Sequence, residues 1–305
     1  MLYRQDYMEA TLKKFRLQWK SPKTIETYKG ILNTFLTYCY ANQVTPEDLS
    51  PAAVEDFILL AKSNSAQRQR HGLLKNFYRW VVPAPEKVKY IPFIRKQKRL
   101  PVWWTVQQYN TILNAIRNPK QRTAAQTQYA LALRVHEVVK LKKEDFVRDY
   151  NSNGLVYSVR LLGKGDKECL LDVPDETMQA IIQNCNFEKK KPFEYIFEGQ
   201  FPGTCYNEGT MQEIIKKAKA RCGLQHLKGS THVLRHSRLT HLTRAGMNQK
   251  ALKDFSRHEK YETLEIYQHM DTAFQREERN KADEKLKQQL EFAALSQKNN
   301  LALAR

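Results

Sequence analysis

Apolar residues recur at helical spacing through most of this chain. After Ser21-Pro22, the residues Ile25, Tyr28, Leu32, Phe35 and Cys39 fall on one helix face; after Ser50-Pro51 come Val54, Phe57, Ile58 and Ala61. Each Ser-Pro pair offers an N-cap oxygen and a proline at the first helical position, where its missing N–H would have no helical partner anyway. A further stripe, Leu73, Leu74, Phe77, Tyr78 and Val81, completes a set that reads residues 1–82 as a bundle of short helices. The approach to that last helix, Ser65 to His71, is polar and basic, so the helix can bury one side and offer the other to phosphates.

The pattern breaks over residues 83–102. Pro83, Pro85, Pro92 and Pro101, with the run Arg95-Lys96-Gln97-Lys98-Arg99, predict an extended cationic linker. A second domain is expected over 103–273. Thr105 and Gln108 form a capping-box pair ahead of Tyr109, Ile112, Leu113 and Ile116, and an alanine-rich helix follows to Leu133. Val156–Leu162 and Glu168–Val173 predict two strands about the turn Gly163-Lys164-Gly165-Asp166, with a further short strand at Tyr195–Phe197. Helices resume over 210–221 and 232–244. The predicted fold class is mainly α with a small antiparallel β-sheet in the second domain.

Charge narrows the partner. The 305 residues hold 51 Lys and Arg against 32 Asp and Glu, a net charge of +19 spread along the whole chain. Such a field favours a polyanion, most simply nucleic acid, ahead of a membrane surface or an acidic protein. No apolar run is long enough to span a membrane, and the first residues carry no secretory signal, so a cytoplasmic location is expected. Cys39, Cys169, Cys185, Cys205 and Cys222 are scattered and odd in number, which reads as reduced thiols.

Four local patterns carry chemistry: Leu133-Arg134-Val135-His136-Glu137-Val138, then Gly163-Lys164-Gly165-Asp166-Lys167, then His232-Val233-Leu234-Arg235-His236, then His258 with Tyr267 nine residues on. In this order they resemble the phage integrase or tyrosine recombinase family, which includes Xer- and Cre-type enzymes. The likeness extends to the helical first domain, which resembles that family's SAM-like core-binding domain. It implies two domains closing on double-stranded DNA as a C-shaped clamp. It also implies cleavage and rejoining of DNA through a 3′-phosphotyrosine, with neither metal nor ATP and no cofactor. Arg134 and Arg235 are then guanidinium clamps on the non-bridging phosphate oxygens, where charge builds in the transition state. Tyr267 is the nucleophile, Lys164 the acid for the leaving 5′ oxygen, His232 an assisting base and His258 a phosphate hydrogen-bond donor. His136 and Glu137 are expected to hold the helix rather than to react.

The chain departs from the family pattern twice. Leu131-Ala132 replaces Thr-Gly before Leu133-Arg134, and Arg257 replaces the glycine before His258. Arg257 is expected either to change the local turn or to add a phosphate contact. Tyr261 is the rival nucleophile. His232, His236 and His241 have spacings that can bind zinc on a helix, although no further ligand accompanies them. Two other functions fit part of the pattern: a non-catalytic regulator built on a helix-turn-helix over Leu234–Arg257, and a type IB topoisomerase-like enzyme. With twenty residues before Ser21-Pro22, no arm-binding domain of the family's larger members is expected.

Residues 274–305 predict a helical tail. Glu277 and Lys281, then Asp283 and Lys287, are acid-before-base pairs at i,i+4. Ala282, Leu286, Leu290 and Ala293 form a narrow apolar stripe that must be buried somewhere. The resemblance implies docking on a neighbouring subunit of a homotetramer on two synapsed DNA sites; the alternative is that the tail folds back on its own domain and silences it.

Overall fold

The computed structural model describes residues 2–18, 22–92, 95, 101–151, 154–162, 168–257 and 284. It divides into two compact units, Met1–Arg99 and Leu100–Arg305.

The first unit is helical: α1 (Leu2–Leu17), α2 (Pro22–Ala41), α3 (Pro51–Leu59), α4 (Asn64–Trp80) and the single turn α5 (Glu86–Lys89). The stripes named above meet in its centre, where Phe15, Leu32, Phe35, Phe57, Leu73, Leu74, Phe77 and Tyr78 are all buried. Phe35 meets Phe57, Phe77 and Tyr78 edge-on, the arrangement that ring quadrupoles favour. Ser50 caps α3 as expected, accepting from the Ala53 N–H, and Ser63 does the same for α4 through Ala66. Ser21 lies outside the described residues.

Helix α1 lies within the predicted helical bundle but has no marked apolar stripe; Phe15 and Tyr7 nonetheless anchor it against α2 and α4. Two expectations change here. Within the basic stretch Ser65 to His71, from which one helix side was expected to face phosphates, Arg70 instead lies over the Phe57 ring and donates to the Phe57 carbonyl. The stretch read as linker folds at its start: Val88 is buried, and Lys87 Nζ donates to the Leu49 carbonyl at 2.7 Å.

The second unit contains α6 (Val106–Asn114), α7 (Pro119–Ala130), α8 (Val135–Val139), α9 (Asp175–Cys185), α10 (Glu208–Arg221), α11 (Thr231–Arg244) and α12 (Gln249–Ser256). Between α8 and α9 lies an antiparallel sheet of β1 (Phe146–Asn151), β2 (Gly154–Leu162) and β3 (Glu168–Val173), in that spatial order. Its register places Phe146 opposite Val159, and Val159 opposite Leu171. One face therefore buries Phe146, Tyr157, Val159, Leu161, Leu171 and Val173 in the core with Met178 and Ile181 of α9. Thr105 and Gln108 form the reciprocal capping box read from sequence.

The sequence reading missed β1, because Arg148, Asp149 and Tyr150 are exposed and leave it little apolar signal. Tyr195 makes only an isolated bridge to Lys142, so Tyr195–Phe197 is not a strand; Ile196 and Phe197 are nonetheless fully buried. Helix α7 stops at Ala130, three residues before the expected end, and the reason for that early stop shapes the site. The five cysteines are free. Among the described residues, no helix is long and apolar enough to cross a membrane. The predicted tail, 274–305, lies outside the described residues except for Glu284.

Candidate active site

Helix α11 carries His232 and Arg235, and it is held at several points. Gly229, just before it, has φ +85°, and a Cβ there would come within 2.0 Å of Val233 Cγ2, so only glycine allows this approach. Lys219, itself buried, donates through Nζ to the carbonyls of Leu227 and Gly229 in the loop leading into α11. Gln128 Nε2 of α7 reaches the Thr231 carbonyl at 3.1 Å. Trp104 donates its backbone N–H to Ser237 Oγ at 2.8 Å and its indole N–H to the Lys228 carbonyl at 3.2 Å.

The far end of α11 is tied down by His241. Its Nε2 meets the Trp104 carbonyl at 2.9 Å and its Nδ1 meets the Tyr129 hydroxyl at 2.6 Å. A carbonyl can only accept, so Nε2 carries the proton and Nδ1 accepts from the tyrosine. Both ring nitrogens are thereby committed to protein partners, which removes His241 from any zinc set with His232 and His236. Among the described residues, no cluster of three or more metal-binding side chains forms. Half-buried His236 has its pKa lowered to about 4 by burial, with Arg235 and His232 adding to the shift. It is neutral at pH 7.

Arg235 points into the protein and is 5% exposed. Its Nη1 donates to the Ala132 carbonyl and its Nη2 to the Ser256 carbonyl. Ala132 occupies the sharp turn that ends α7. Its φ of +46° is left-handed, the conformation a family glycine takes without penalty, and here it costs about 1–2 kcal/mol. The turn redirects the chain so that Arg134 becomes the N-cap of α8, in extended backbone at φ −70° and ψ 152°. The two candidate clamps are thus fastened to one stretch of backbone, Arg235 by hydrogen bond and Arg134 by covalent continuity.

Arg134 is oriented by Glu137. The Glu137 carboxylate accepts from the Arg134 backbone N–H at 2.7 Å and from its Nη1 at 2.9 Å. The Arg134 side chain remains 36% exposed, whereas that of Glu137 is 8% exposed. Burial works to raise the Glu137 pKa, but Arg257 and Arg134 outweigh it, so the carboxyl titrates below the ordinary range and is ionised. Glu137 thus holds the helix as expected, while His136 is exposed to solvent.

Arg257 departs from both expectations. It ends α12 with φ +56° and ψ 39°, so the turn is the left-handed one a glycine favours. Its side chain is 8% exposed and donates from Nη2 to Glu137 Oε2 at 2.8 Å, turning inward rather than out toward a phosphate. Sequence reading singled out the position but missed this ion pair, because its two ends are 120 positions apart. Two guanidiniums, Arg134 and Arg257, thus share the Glu137 carboxylate, and Arg257 Nη2 also approaches, at 3.5 Å, the Ala132 carbonyl that accepts from Arg235. His232 lies one turn before Arg235 and is exposed. Lys164, His258, Tyr267 and the rival Tyr261 lie outside the described residues.

Comparison with known proteins gives this arrangement a family. Residues 103–273 match the model described as Phage integrase family, and residues 7–86 match Phage integrase, N-terminal SAM-like domain. Tyrosine recombinase XerD of Rickettsia prowazekii (strain Madrid E) is 24% identical over 275 residues, covering 83% of this chain and 88% of that protein. Among solved structures, the XerH site-specific recombinase bound to palindromic difH substrate, a post-cleavage complex, aligns with a TM-score of 0.68 at 18% identity. That alignment covers 85% of this chain and 79% of the other. A lambda integrase tetramer bound to a Holliday junction aligns with a TM-score of 0.65 at 13% identity, covering 84% and 77%. At these identities the structural likeness establishes the fold, and the sequence models establish the family: the chain belongs to the phage integrase family, the tyrosine recombinases.

Proposed function

We propose that this tyrosine recombinase cuts and rejoins double-stranded DNA at specific sites through a 3′-phosphotyrosine formed by Tyr267. The observation that carries the reading is the fastening of Arg134 and Arg235 to one backbone turn at Ala132–Arg134. Two guanidiniums held this way suit the two non-bridging oxygens of one phosphodiester and need no rearrangement as charge builds there. The Tyr267 oxygen attacks phosphorus, the bond to the 5′ oxygen breaks, and Lys164 supplies the proton that the leaving oxygen takes. His232, exposed one turn before Arg235, assists as base, and His258 donates to the phosphate. The phosphotyrosine conserves the broken bond, so rejoining needs neither ATP nor metal.

In this reading, residues 1–82 bind the core site, 83–102 strap across the backbone, and 103–273 do the chemistry, with both domains gripping the DNA. The net charge of +19 supports that grip. The relatives support it as well, since XerH is bound to difH substrate and lambda integrase forms a tetramer on a Holliday junction. The working assembly is a homotetramer on two synapsed sites, with residues 274–305 docking on the neighbouring subunit, in the cytoplasm on the nucleoid. The test begins by isolating DNA covalently attached to the protein in cells and sequencing its ends. Two labelled duplexes carrying the recovered site are then mixed with the protein in EDTA without ATP. Strand exchange is expected. Binding without any adduct would point to the regulator, and relaxation of supercoils without exchange to a topoisomerase.

A further inference from the structure

We propose that Arg257 is a positioning residue for strand cleavage, acting through Glu137 to keep the Arg134 guanidinium presented to the scissile phosphate. The inference rests on the clamp role of Arg134 given above.

The backbone supplies the first reason. At φ +56° and ψ 39°, position 257 takes the conformation glycine adopts without steric cost and arginine does not. A side chain retained there has work that offsets the strain. That work is an ion pair: Nη2 holds Glu137 Oε2 at 2.8 Å, both side chains being 8% exposed, and among the described residues Nε and Nη1 have no hydrogen-bond partner.

The division of the carboxylate supplies the second reason. Oε1 takes Arg134 Nη1 at 2.9 Å, while Oε2 takes Arg257 Nη2 and the Arg134 backbone N–H. A carboxylate with both oxygens open to one guanidinium closes on it as a two-pronged pair. Arg257 occupies the second oxygen and blocks that closure. Among the described residues the Arg134 side chain is therefore held by one N–H, Nη1, and its remaining donors stay available for phosphate. Without Arg257, Glu137 can rotate and draw Arg134 away from the reacting centre. The Arg257 guanidinium also approaches the Ala132 carbonyl that holds Arg235, at 3.5 Å, so the same side chain borders both clamps.

The test compares single-turnover cleavage of a nicked suicide duplex with DNA affinity, for the full chain. A clamp displaced by about 1 Å loses up to about 100-fold in rate. R257G is expected to cleave roughly 10- to 100-fold more slowly, with a Kd within about threefold of wild type because many other cations hold the backbone. R257M keeps the buried stem and should lose as much, which covers the case of R257G melting early. R257K, which keeps a charge for Glu137, should cleave faster than either. The decisive comparison is R134A against R134A/R257G: with the clamp gone, the second substitution should slow cleavage no further. Wild-type cleavage in both R257G and R257M, or an undiminished loss in the R134A background, overturns the role of Arg257. If the wild type forms no adduct on its own recovered site, the recombinase reading fails and the inference falls with it. If wild type cleaves and R257G matches it, only the inference fails.

Discussion

The carbonyl of Ala132 accepts from Arg235 Nη1, a residue 103 positions further along the chain, while Ala132 itself stands at φ +46°. The strained turn and the buried arginine depend on each other. Ala132 is also packed against Leu239 and Leu252. Glycine at this position relieves about 1–2 kcal/mol of strain but gives up a buried methyl and adds unfolded-state freedom, each worth about 0.5–1 kcal/mol. Ala132→Gly should therefore change stability by less than about 1 kcal/mol and keep cleavage. Ala132→Val puts a branched side chain where neither the backbone nor the core accepts it. It should cost more than about 2 kcal/mol and slow cleavage by about tenfold or more. Urea melts together with single-turnover rates check both; a Val variant as stable and active as the Gly variant would show that the turn does not matter.

The two clamps should separate in stability while agreeing in rate. Arg134→Ala and Arg235→Ala are each expected to slow cleavage by about two orders of magnitude, the scale for one lost transition-state donor. Arg235→Ala additionally takes a buried charged donor away from the Ala132 and Ser256 carbonyls, at about 1–3 kcal/mol of stability. Arg134 is 36% exposed and its loss leaves Glu137 paired with Arg257, so Arg134→Ala should melt close to wild type. Thermal melts and suicide-duplex kinetics measure the two effects; a full cleavage rate in either variant contradicts the clamp role.

Acid should weaken the second unit through His236. Its folded pKa is lowered from 6.5 to about 4, by burial first and then by Arg235 and His232. Above pH 6.5 the ring is neutral folded or unfolded and contributes nothing. As pH falls from about 6.5 toward 4 the unfolded chain takes a proton that the fold refuses, so stability declines, by a few kcal/mol at most. His236→Gln should flatten part of this slope. His241, whose pKa burial also lowers, acts with the same sign and leaves a residue. Denaturant titrations at pH 7.5, 6 and 5 test this; parallel curves for wild type and variant would remove His236 from the account.

What could be read in advance follows from how local each signal is. The caps at Ser50 and Thr105, the stripes of α2 to α4 and the β2–β3 pairing depend on residues within a few positions of one another, and all were legible. Strand β1 was not, since its exposed side chains Arg148, Asp149 and Tyr150 give no alternation to read. Of the candidate site, Arg134 and Arg235 were legible from their local patterns, and the structure ties them to one turn. Its supports were not legible, because each joins distant segments: Arg257 to Glu137, Gln128 to Thr231, Trp104 to Ser237. Position 257 gave a hint, as arginine where family members carry glycine, but its partner could be found only in space.

The central claim is covalent catalysis by Tyr267, and the most direct measurement is adduct trapping on a duplex nicked just 3′ of the cleavage position, so that the short leaving strand diffuses away. Wild-type protein should accumulate as a 3′-phosphotyrosyl adduct in EDTA, and peptide mapping should place the DNA on Tyr267. Tyr267→Phe should bind the same duplex with unchanged affinity and form no adduct. An adduct of normal yield in Tyr267→Phe, or one mapped to Tyr261, would contradict the assignment.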